Sequence, residues 1–294
     1  MEGQRRFSQE YALVVLGGSI AGVGGAVEAS RTFGRERVLL LEAGGEIGGE
    51  YLSTYRPVSV LDQYSPADPL ARMLLEELTE RRAVRDGILQ PVTLLPVLSH
   101  LLGETAPLTL YNTRLTGISP AVLSSGREGW QLELYLDGIL CSLRCASLFD
   151  TTSCSDSCPE KREQPSALWF DALVQLPGSG RDDSWFPKSL PAPVEIHPYA
   201  VADYWIMRLK LKEDHPALGR DEMFRFWRSR PASMKRAVLV GVASQVERSF
   251  SGVAVAANRG DARRLLLPEG YAANPVAALD KGIDLIKGLL SGKD

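Results

Sequence analysis

Residues 11–50 have the sequence YALVVLGGSIAGVGGAVEASRTFGRERVLLLEAGGEIGGE, and this stretch decides the fold. Its first six residues form a continuous apolar run, typical of a strand buried on both faces, and the turn-forming Gly17 and Gly18 follow at once. Residues 20–33 have a helical composition up to a terminating glycine, and Val38–Leu41 supply a second buried strand. The stretch therefore predicts a strand, a tight turn, a helix and a second strand.

The positions of one acid and several glycines indicate a dinucleotide site. Glu42 ends the second strand, 20 residues after Gly22, where an acid accepts hydrogen bonds from a ribose diol. Gly17 permits the tight turn, and Gly22 lets the helix pack closely on the sheet. Counting G-x-G-x-x-G from Gly17 places Ser19 at the middle glycine, where the backbone should approach the pyrophosphate. Its hydroxyl either donates to a phosphate oxygen or marks a site that has lost its cofactor. An ordinary strand-to-helix turn is the structural alternative.

The segments VVLGGSIAGVGGA and VLLLEAGGEIGGE together resemble the N-terminal signature of FAD-dependent oxidoreductases of the glutathione-reductase-like superfamily. The resemblance implies an α/β fold, with a Rossmann-like FAD-binding domain and a second, smaller, mostly β (α+β) substrate lobe. It implies FAD rather than NAD, because a glycine pair after the acid passes beside the flavin's phosphate and ribityl side in that superfamily. The implied cofactor-binding residues are Gly17, Gly18, Ser19, Ile20, Ala21, Gly22, Glu42, Ala43, Gly48, Gly49, Leu115, Thr152, Asp261 and Asn274.

The rest of the chain divides into three predicted regions. Residues 1–158 are expected to form the FAD-binding lobe, with a helical crossing over 51–103 and a hairpin over 130–149. Residues 159–250 are expected to form the substrate or cap lobe. Residues 251–294 are expected to return to the FAD-binding lobe through a strand and a last helix, as the resemblance implies.

The hairpin leads to a second segment of the resemblance. Asp137-Gly138 is a strong two-residue turn between alternating strands. The returning strand ends in FDTTSCSD, which is similar to a segment such as IDATGDGD that brings the chain back to the flavin in the resembled superfamily. Asp150 and Thr152 match this pattern, whereas Ser153 and Cys154 replace its Gly-Asp. Together with Ser19, these replacements indicate a retained architecture with an altered site.

The second lobe offers only weak candidates for catalysis. His197 lies in a Pro-rich, aromatic segment that is predicted to be a loop over a ligand, and Arg181 precedes it. His197 can orient a substrate or accept a proton, with packing or hydrogen bonding as the structural alternative. A strand is predicted over 200–212, with Arg208 on the face opposite its apolar residues. The sequence has no Ser-His-Asp spacing, metal triad or Walker signature, so no catalytic residue is assigned.

Composition and charge exclude several classes of protein. The chain has 294 residues, 45% of them hydrophobic, and a formal net charge of -3. A slightly negative net charge does not indicate binding to nucleic acid or to an anionic membrane surface. Arg5-Arg6 and the apolar residues 12–26 imitate an export signal, but cleavage there would destroy the strand-turn-helix unit. No other apolar run approaches the ~20 residues that a membrane span needs. We therefore expect a cytoplasmic protein without nucleic-acid or membrane partners.

The four cysteines are clustered as Cys141, Cys145, Cys154 and Cys158. Reduced, partly buried thiols are the favoured interpretation. Metal ligation, a disulfide between Cys154 and Cys158, and a redox-active Cys154 beside the flavin stay open as alternatives. No metal site is assigned, because the C-x3-C spacing is longer than most structural zinc knuckles.

The sequence favours an FAD-dependent oxidoreductase that acts on a small organic substrate by hydride or electron transfer to the flavin. The alternative is a cofactor-free or non-catalytic flavoprotein-like subunit, which serves as a structural or binding partner. A third option keeps the nucleotide in a structural role. The expected partner is a small-molecule substrate, with a homo-oligomer or a heteromeric partner subunit left open.

Overall fold

The predicted strand, turn, helix and second strand are all present in the structure, a computed structural model of the chain. Strand β1 (Glu10–Leu16) leads into helix α1 (Ile20–Phe33), and strand β2 (Val38–Leu41) follows. The strands pair in parallel from Leu13 opposite Val38 to Leu16 opposite Leu41. All four residues of β2 and the last six of β1 are buried, as the continuous apolar runs predict.

The structure describes residues 10–58, 61–103, 106–153, 156–158, 164–180, 182, 186, 190, 194–250, 255–256, 263–267, 272 and 274–291. Three residues singled out from the sequence, Cys154, Arg181 and Asp261, lie outside the described residues.

A mixed sheet is built around the first unit. Its remaining strands are β5 (Leu108–Leu110), β6 (Thr113–Val122), β7 (Glu128–Leu136), β8 (Ile139–Asp150), β14 (Val255–Ala256) and β15 (Arg263–Leu266). The order across the sheet is β14-β15-β8-β1-β2-β5, and β6 and β7 continue from β8 as an antiparallel ribbon. Leu16 lies opposite both Leu41 and Asp150, so β1, β2 and β8 end at the same edge. The carboxyl ends of parallel strands form the usual edge for a ligand site.

The predicted hairpin is confirmed. Strands β7 and β8 pair in antiparallel fashion, with Leu136 opposite Ile139 and only Asp137-Gly138 between them. Both turn residues have positive φ, 47° for Asp137 and 88° for Gly138, as a type I′ turn requires.

The described residues of this part of the chain also form four further α-helices and two short strands. They are α2 (Gly49–Leu52), α3 (Pro69–Glu80), β3 (Val84–Arg85), β4 (Ile88–Leu89), α4 (Leu94–Leu102) and the last helix α6 (Pro275–Ser291). Helix α6 packs directly on α1, because a Cβ on Gly24 would lie only 2.3 Å from the carbonyl oxygen of Leu279. Among the described residues, no helix is both long and apolar enough to cross a membrane.

A second sheet carries the remaining described elements. It consists of β9 (Ala167–Gln175), β10 (Val194–Pro198), β11 (Tyr204–Lys210), β12 (Val238–Val242) and β13 (Glu247–Ser249), and helix α5 (Pro216–Arg228) covers one face. The order is β10-β11-β9-β12, with β13 also paired to β9. Apolar side chains on one face, such as Phe170 and Met207, form a separate core with Met223 of α5.

Two details differ from the expectations for this lobe. The strand predicted over 200–212 is limited to Tyr204–Lys210. Arg208 is on the face opposite the apolar core, as predicted, and it is buried there. His197 lies in strand β10, opposite Ile206, and not in a loop. Alternation along a strand assigns a residue to a face, but it does not reveal what covers that face.

Candidate functional site

A cleft of about 1020 Å³ lies at the carboxyl ends of β1, β2 and β8. Its lining residues are Leu16, Gly17, Gly18, Ser19, Leu41, Glu42, Ala43, Gly44, Gly45, Glu46, Gly49, Ser53, Thr113, Arg114, Leu115, Thr151, Thr152, Ser153, Asp156, Gln245 and Arg248. The second lobe contributes the last two of these residues. The cleft thus occupies the edge of the sheet at which the sequence places a dinucleotide.

The structure brings together most of the residues predicted to bind the cofactor. Those that line the cleft are Gly17, Gly18, Ser19, Glu42, Ala43, Gly49, Leu115 and Thr152. Ile20, Ala21 and Gly22 form the buried start of α1, and Gly48 is buried beside them. Asn274 is not in the lining, and its Oδ1 accepts a hydrogen bond of 2.8 Å from the amide of Ala277 at the start of α6.

Glu42 is fixed in the cleft by backbone amides. Its Oε2 accepts a hydrogen bond of 2.5 Å from Gly18 N, and its Oε1 accepts one of 2.5 Å from Gly44 N. A carboxylate has about four acceptor positions, so two more remain for hydroxyl donors. The geometry provides a half-buried carboxylate that can still receive both hydroxyls of a diol.

Ser19 begins helix α1. Its Oγ accepts a hydrogen bond of 3.1 Å from Gly22 N, the arrangement of a helix N-cap. The hydroxyl can still donate its own proton, so the cap does not decide between the two interpretations of Ser19. Gly22 is required for close packing, because a Cβ there would lie 2.4 Å from the carbonyl oxygen of Gly17 and 2.7 Å from Thr151 Oγ1. This tight contact is the one predicted for Gly22.

Glu50 lies beside the cleft, and the sequence analysis did not single it out. It lies in α2 and is only 5% exposed. Its Oε1 accepts a hydrogen bond of 2.6 Å from the amide of Ile20, the first residue of α1. The signal in the sequence was an acid directly after Gly48 and Gly49, the glycine pair expected near the cofactor phosphate.

The second lobe is tied to the cleft by hydrogen bonds. The carbonyl of Ser53 accepts from the amides of Ser244 at 2.9 Å and Gln245 at 3.2 Å. Arg248 donates to both carboxylate oxygens of Asp214, at 2.6 and 2.9 Å, and to Ser153 Oγ at 3.1 Å. These contacts place a guanidinium at the rim of the cleft, beside the segment that follows β8.

A smaller hollow of about 430 Å³ adjoins the cleft. It shares Glu46 and Ser53 with the cleft. Its other lining residues are Leu52, Tyr55, Val92, Leu95, Pro96, Val242 and Ser244. Most of these side chains are apolar, and they come from both lobes. The hollow has the size and character of a pocket for a small organic molecule.

A buried ionic cluster lies on the face of the second sheet opposite the apolar core. Arg208 donates to Asp171 Oδ1 at 3.0 Å and also to Glu247, and Arg56 of the first lobe is 3.4 Å from Glu247. Burial raises the pKa of Asp171, as does the nearby charge of Glu247, while Arg208 and Arg56 oppose the rise. None of the four lines the large cleft, so the cluster joins the lobes rather than forming part of the site.

The remaining candidates lie away from the cleft. His197 Nε2 is 3.2 Å from Glu195 Oε2 on the outer strand β10, and neither residue lines the cleft. Burial raises the pKa of the Cys145 thiol and, to a smaller extent, that of Cys141. Within the described ranges, no group of three or more His, Cys, Asp and Glu side chains is placed to hold a metal ion.

Comparisons with known proteins reveal a likeness in fold. No protein-family model matches the sequence, and no curated protein matches it either. Solved structures do match: p-nitrophenol 4-monooxygenase from Pseudomonas putida DLL-E4 is 16% identical, with 97% of this chain and 79% of that chain covered and a TM-score of 0.59. Aklavinone-11 hydroxylase, in a ternary complex with FAD and aklavinone, is 14% identical, with coverages of 96% and 63% and a TM-score of 0.56. The myxobacterial chondrochloren halogenase, a variant of FAD-dependent halogenases, is 12% identical, with coverages of 97% and 76% and a TM-score of 0.59.

At these identities the likeness establishes the fold alone. The chain has the mixed α/β architecture of these hydroxylase and halogenase structures, and it spans less than two thirds of the aklavinone-11 hydroxylase chain. The narrower placement in the glutathione-reductase-like superfamily is not confirmed by these structures.

Proposed function

We propose that the cleft binds FAD and that the protein is an FAD-dependent oxidoreductase acting on a small organic molecule. The observation that carries the proposal is the Glu42 carboxylate, which stands at the end of β2 in the large cleft with two acceptor positions left for a ribose diol. The fold is shared with a hydroxylase solved with FAD and aklavinone and with a variant of FAD-dependent halogenases, and this supports the same cofactor here.

The lining residues fit a dinucleotide along most of its length. A volume of about 1020 Å³ is at the upper end of the range for ligand sites, as a large cofactor needs. A Cβ on Gly45 or Gly49 would meet nothing within 4 Å, so the backbone there is open to close approach. Glu42 would hold the ribose diol, residues 113–115 would face the adenine, and residues 151–153 would lie towards the flavin.

Bound FAD would supply the two-electron redox chemistry, accepting an electron pair that the substrate loses. The contribution of the chain is binding and orientation. Arg248 places a positive charge at the rim, and its ion pair with Asp214 keeps the guanidinium in one orientation. No described His or Cys lines the cleft, so we assign no general acid or base.

The adjoining hollow is the proposed place of the substrate. Its apolar lining favours an uncharged, aromatic or aliphatic molecule over an anion, and Glu46 at its border disfavours a negative charge further. Val92 is exposed at this hollow, so a Val92→Trp variant fills the space without disturbing a packed core. We expect loss of substrate-dependent turnover with an unchanged affinity for FAD.

The proposal is tested by the absorption spectrum of the purified protein, followed by titration with FAD. Flavin bands that persist after dialysis, or saturable quenching of flavin fluorescence, support it. Glu42→Ala should weaken FAD binding at least tenfold, because hydrogen bonds to a charged acceptor contribute about 1.5–3 kcal/mol each. Glu76→Ala, on the exposed face of α3, is the matched control and should leave the affinity unchanged. A protein that binds no FAD at high concentration would refute the proposal.

A cofactor-free subunit is the second candidate function. The observation that favours it is the Glu50 carboxylate at the start of α1, where a cofactor diphosphate would be expected. In that case the wild-type protein binds neither FAD nor ADP, and Glu42→Ala changes nothing but stability. The partner would then be a second copy or another subunit.

A further inference from the structure

A carboxylate of the chain itself occupies the N-terminus of α1. The amides at a helix N-terminus attract negative groups, because they point outward and lie at the positive end of the helix dipole. Ser19 Oγ accepts a hydrogen bond of 3.1 Å from the amide of Gly22, and the carbonyl of Ser19 accepts one of 2.9 Å from the amide of Val23. Glu50 Oε1 accepts a hydrogen bond of 2.6 Å from the amide of Ile20. A protein carboxylate therefore holds the position that suits a phosphate.

The position of Glu50 is built into the fold. The amide of Gly48 donates to the carbonyl of Gly18 at 2.7 Å, which fastens the glycine pair to the turn after β1. Gly48 has a φ of 74°, in the left-handed region that favours glycine, and a Cβ there would press on Ile20 Cδ1 at 2.9 Å. On the other side, Thr54 Oγ1 donates to the carbonyl of Glu50 at 2.7 Å. These two bonds fix the backbone on both sides of Glu50, so that its side chain starts beside the N-terminus of α1.

The surroundings of Glu50 on the side away from α1 contain charges of both signs. Glu50 borders a small cavity, of about 10 Å³, whose lining includes the cations of Arg56 and Arg248 and also the carboxylate of Glu247. Arg248 lines the large cleft as well. Arg56 is already 3.4 Å from Glu247, and Arg248 is already paired with Asp214, so a displaced Glu50 carboxylate would share these cations with other carboxylates. A Glu50 carboxylate that stays on the Ile20 amide would face a diphosphate bound at the same helix N-terminus. Like charges at a partly buried site repel strongly.

We propose that Glu50 is an intramolecular competitor for the diphosphate of the dinucleotide, so that the cofactor binds reversibly and only after this carboxylate has left α1. The inference rests on the proposed function, since it concerns the same cleft. It makes FAD an exchangeable ligand of this protein rather than a permanently held group, and it assigns the control of exchange to a single side chain.

The test is a Glu50→Gln variant, which keeps the acceptor oxygen for the Ile20 amide and removes the charge. Dissociation constants for FAD, ADP and adenosine are measured by calorimetry or fluorescence. We expect FAD and ADP to bind about tenfold more tightly, or better, than to the wild type. Adenosine has no phosphate, so its affinity should change less than about twofold. Glu28→Gln is the matched control, because it removes one charge from α1 about two turns beyond Ile20.

The outcomes separate this inference from the proposed function. Unchanged FAD and ADP affinities in Glu50→Gln, or equal gains in Glu28→Gln or for adenosine, overturn the role of Glu50 while FAD binding stands. If neither FAD nor ADP binds to any variant, the proposed function fails and the inference fails with it. Circular dichroism checks that the variant is folded. If it is not, Glu50→Asp draws the carboxylate back from Ile20, and a gain of less than about twofold for ADP then refutes the competition.

Discussion

Among the polar residues of α6, Asp280 is the one whose substitution should lower the stability of the first lobe most. Its side chain is 8% exposed. Its Oδ2 accepts hydrogen bonds of 2.8 Å from Tyr64 Oη and from the amide of Ala67, and its Oδ1 accepts one of 2.8 Å from the amide of Asp68. One carboxylate thus ties the C-terminal helix to the loop before α3.

The cost of Asp280→Ala follows from the three donors that it leaves without an acceptor. Losing the charged partner of a buried donor costs about 1–3 kcal/mol, and the three losses are not additive because water reaches the edge of the group. We therefore expect the free energy of unfolding to fall by about 3–5 kcal/mol. At about 2.1 cal/mol/K of unfolding entropy per residue, this lowers Tm by roughly 5–8 °C.

The assay is urea denaturation followed by circular dichroism. The matched control is Asp284→Ala on the same helix, where the side chain is 76% exposed and pairs with Lys281 at 3.6 Å. Exposed pairs of this kind contribute little, so the control should lose less than about 0.5 kcal/mol. A loss of under about 1 kcal/mol in Asp280→Ala, or equal losses in the two variants, would contradict the assignment.

Tyr64 provides a second readout of the same contact. Burial raises the pKa of Tyr64 to about 12, and the hydrogen bond and charge of Asp280 contribute to the rise. A raised pKa means that the protonated form is favoured in the folded state, so the associated stability is present below pH ~10 and is lost as the pH rises towards 12. In Asp280→Ala, the tyrosinate absorbance of Tyr64, identified by subtracting Tyr64→Phe, should appear at lower pH.

Three further predictions concern packing, alkaline pH and thiol reactivity. Gly282→Ala should lower the free energy of unfolding by about 2 kcal/mol, because the new Cβ would overlap a carbonyl of α1. In the control Gly288→Ala the Cβ meets nothing within 4 Å, so the free energy of unfolding should rise by about 0.5–1 kcal/mol in the same denaturation assay. Burial raises the pKa of Tyr199 to about 12, so Tyr199→Phe should flatten the loss of stability between pH 10 and 12. Mass spectrometry after alkylation should detect modified Cys141 in the folded protein and modified Cys145 only after unfolding, since Cys145 is fully buried.

The sequence predicts those parts of the fold that short segments determine. Strands β1 and β2 are buried on both faces, so each is a continuous run of apolar residues. Such a run can be recognised in the sequence without knowing which distant residues pack on it. Asp137-Gly138 fixes the register of the β7–β8 hairpin, because a two-residue turn leaves one pairing. Glu42 is placed correctly at the cleft because the length of the βαβ unit sets where the second strand ends.

The environment of Arg208 shows where such reasoning stops. Alternation along β11 correctly separates Arg208 from the apolar residues, but a polar face is solvated only if nothing covers it. Here Glu247, on a strand 39 residues later, and Arg56, from the first lobe, close over it. Contacts between residues this far apart in sequence have no local signature.

The role of Glu50 is harder to predict, although the residue directly follows the glycine pair in the sequence. An acid after a glycine pair is unremarkable as a pattern, and its meaning depends on where the carboxylate points. That direction is set by the Gly48–Gly18 hydrogen bond, which joins two turns 30 residues apart, and by the start of α1 at Ile20. The same glycines that open the cleft for a diphosphate thus allow the chain's own anion to reach it first. Whether a glycine-rich turn binds a nucleotide therefore depends on which side chains share the turn, as well as on the glycines themselves.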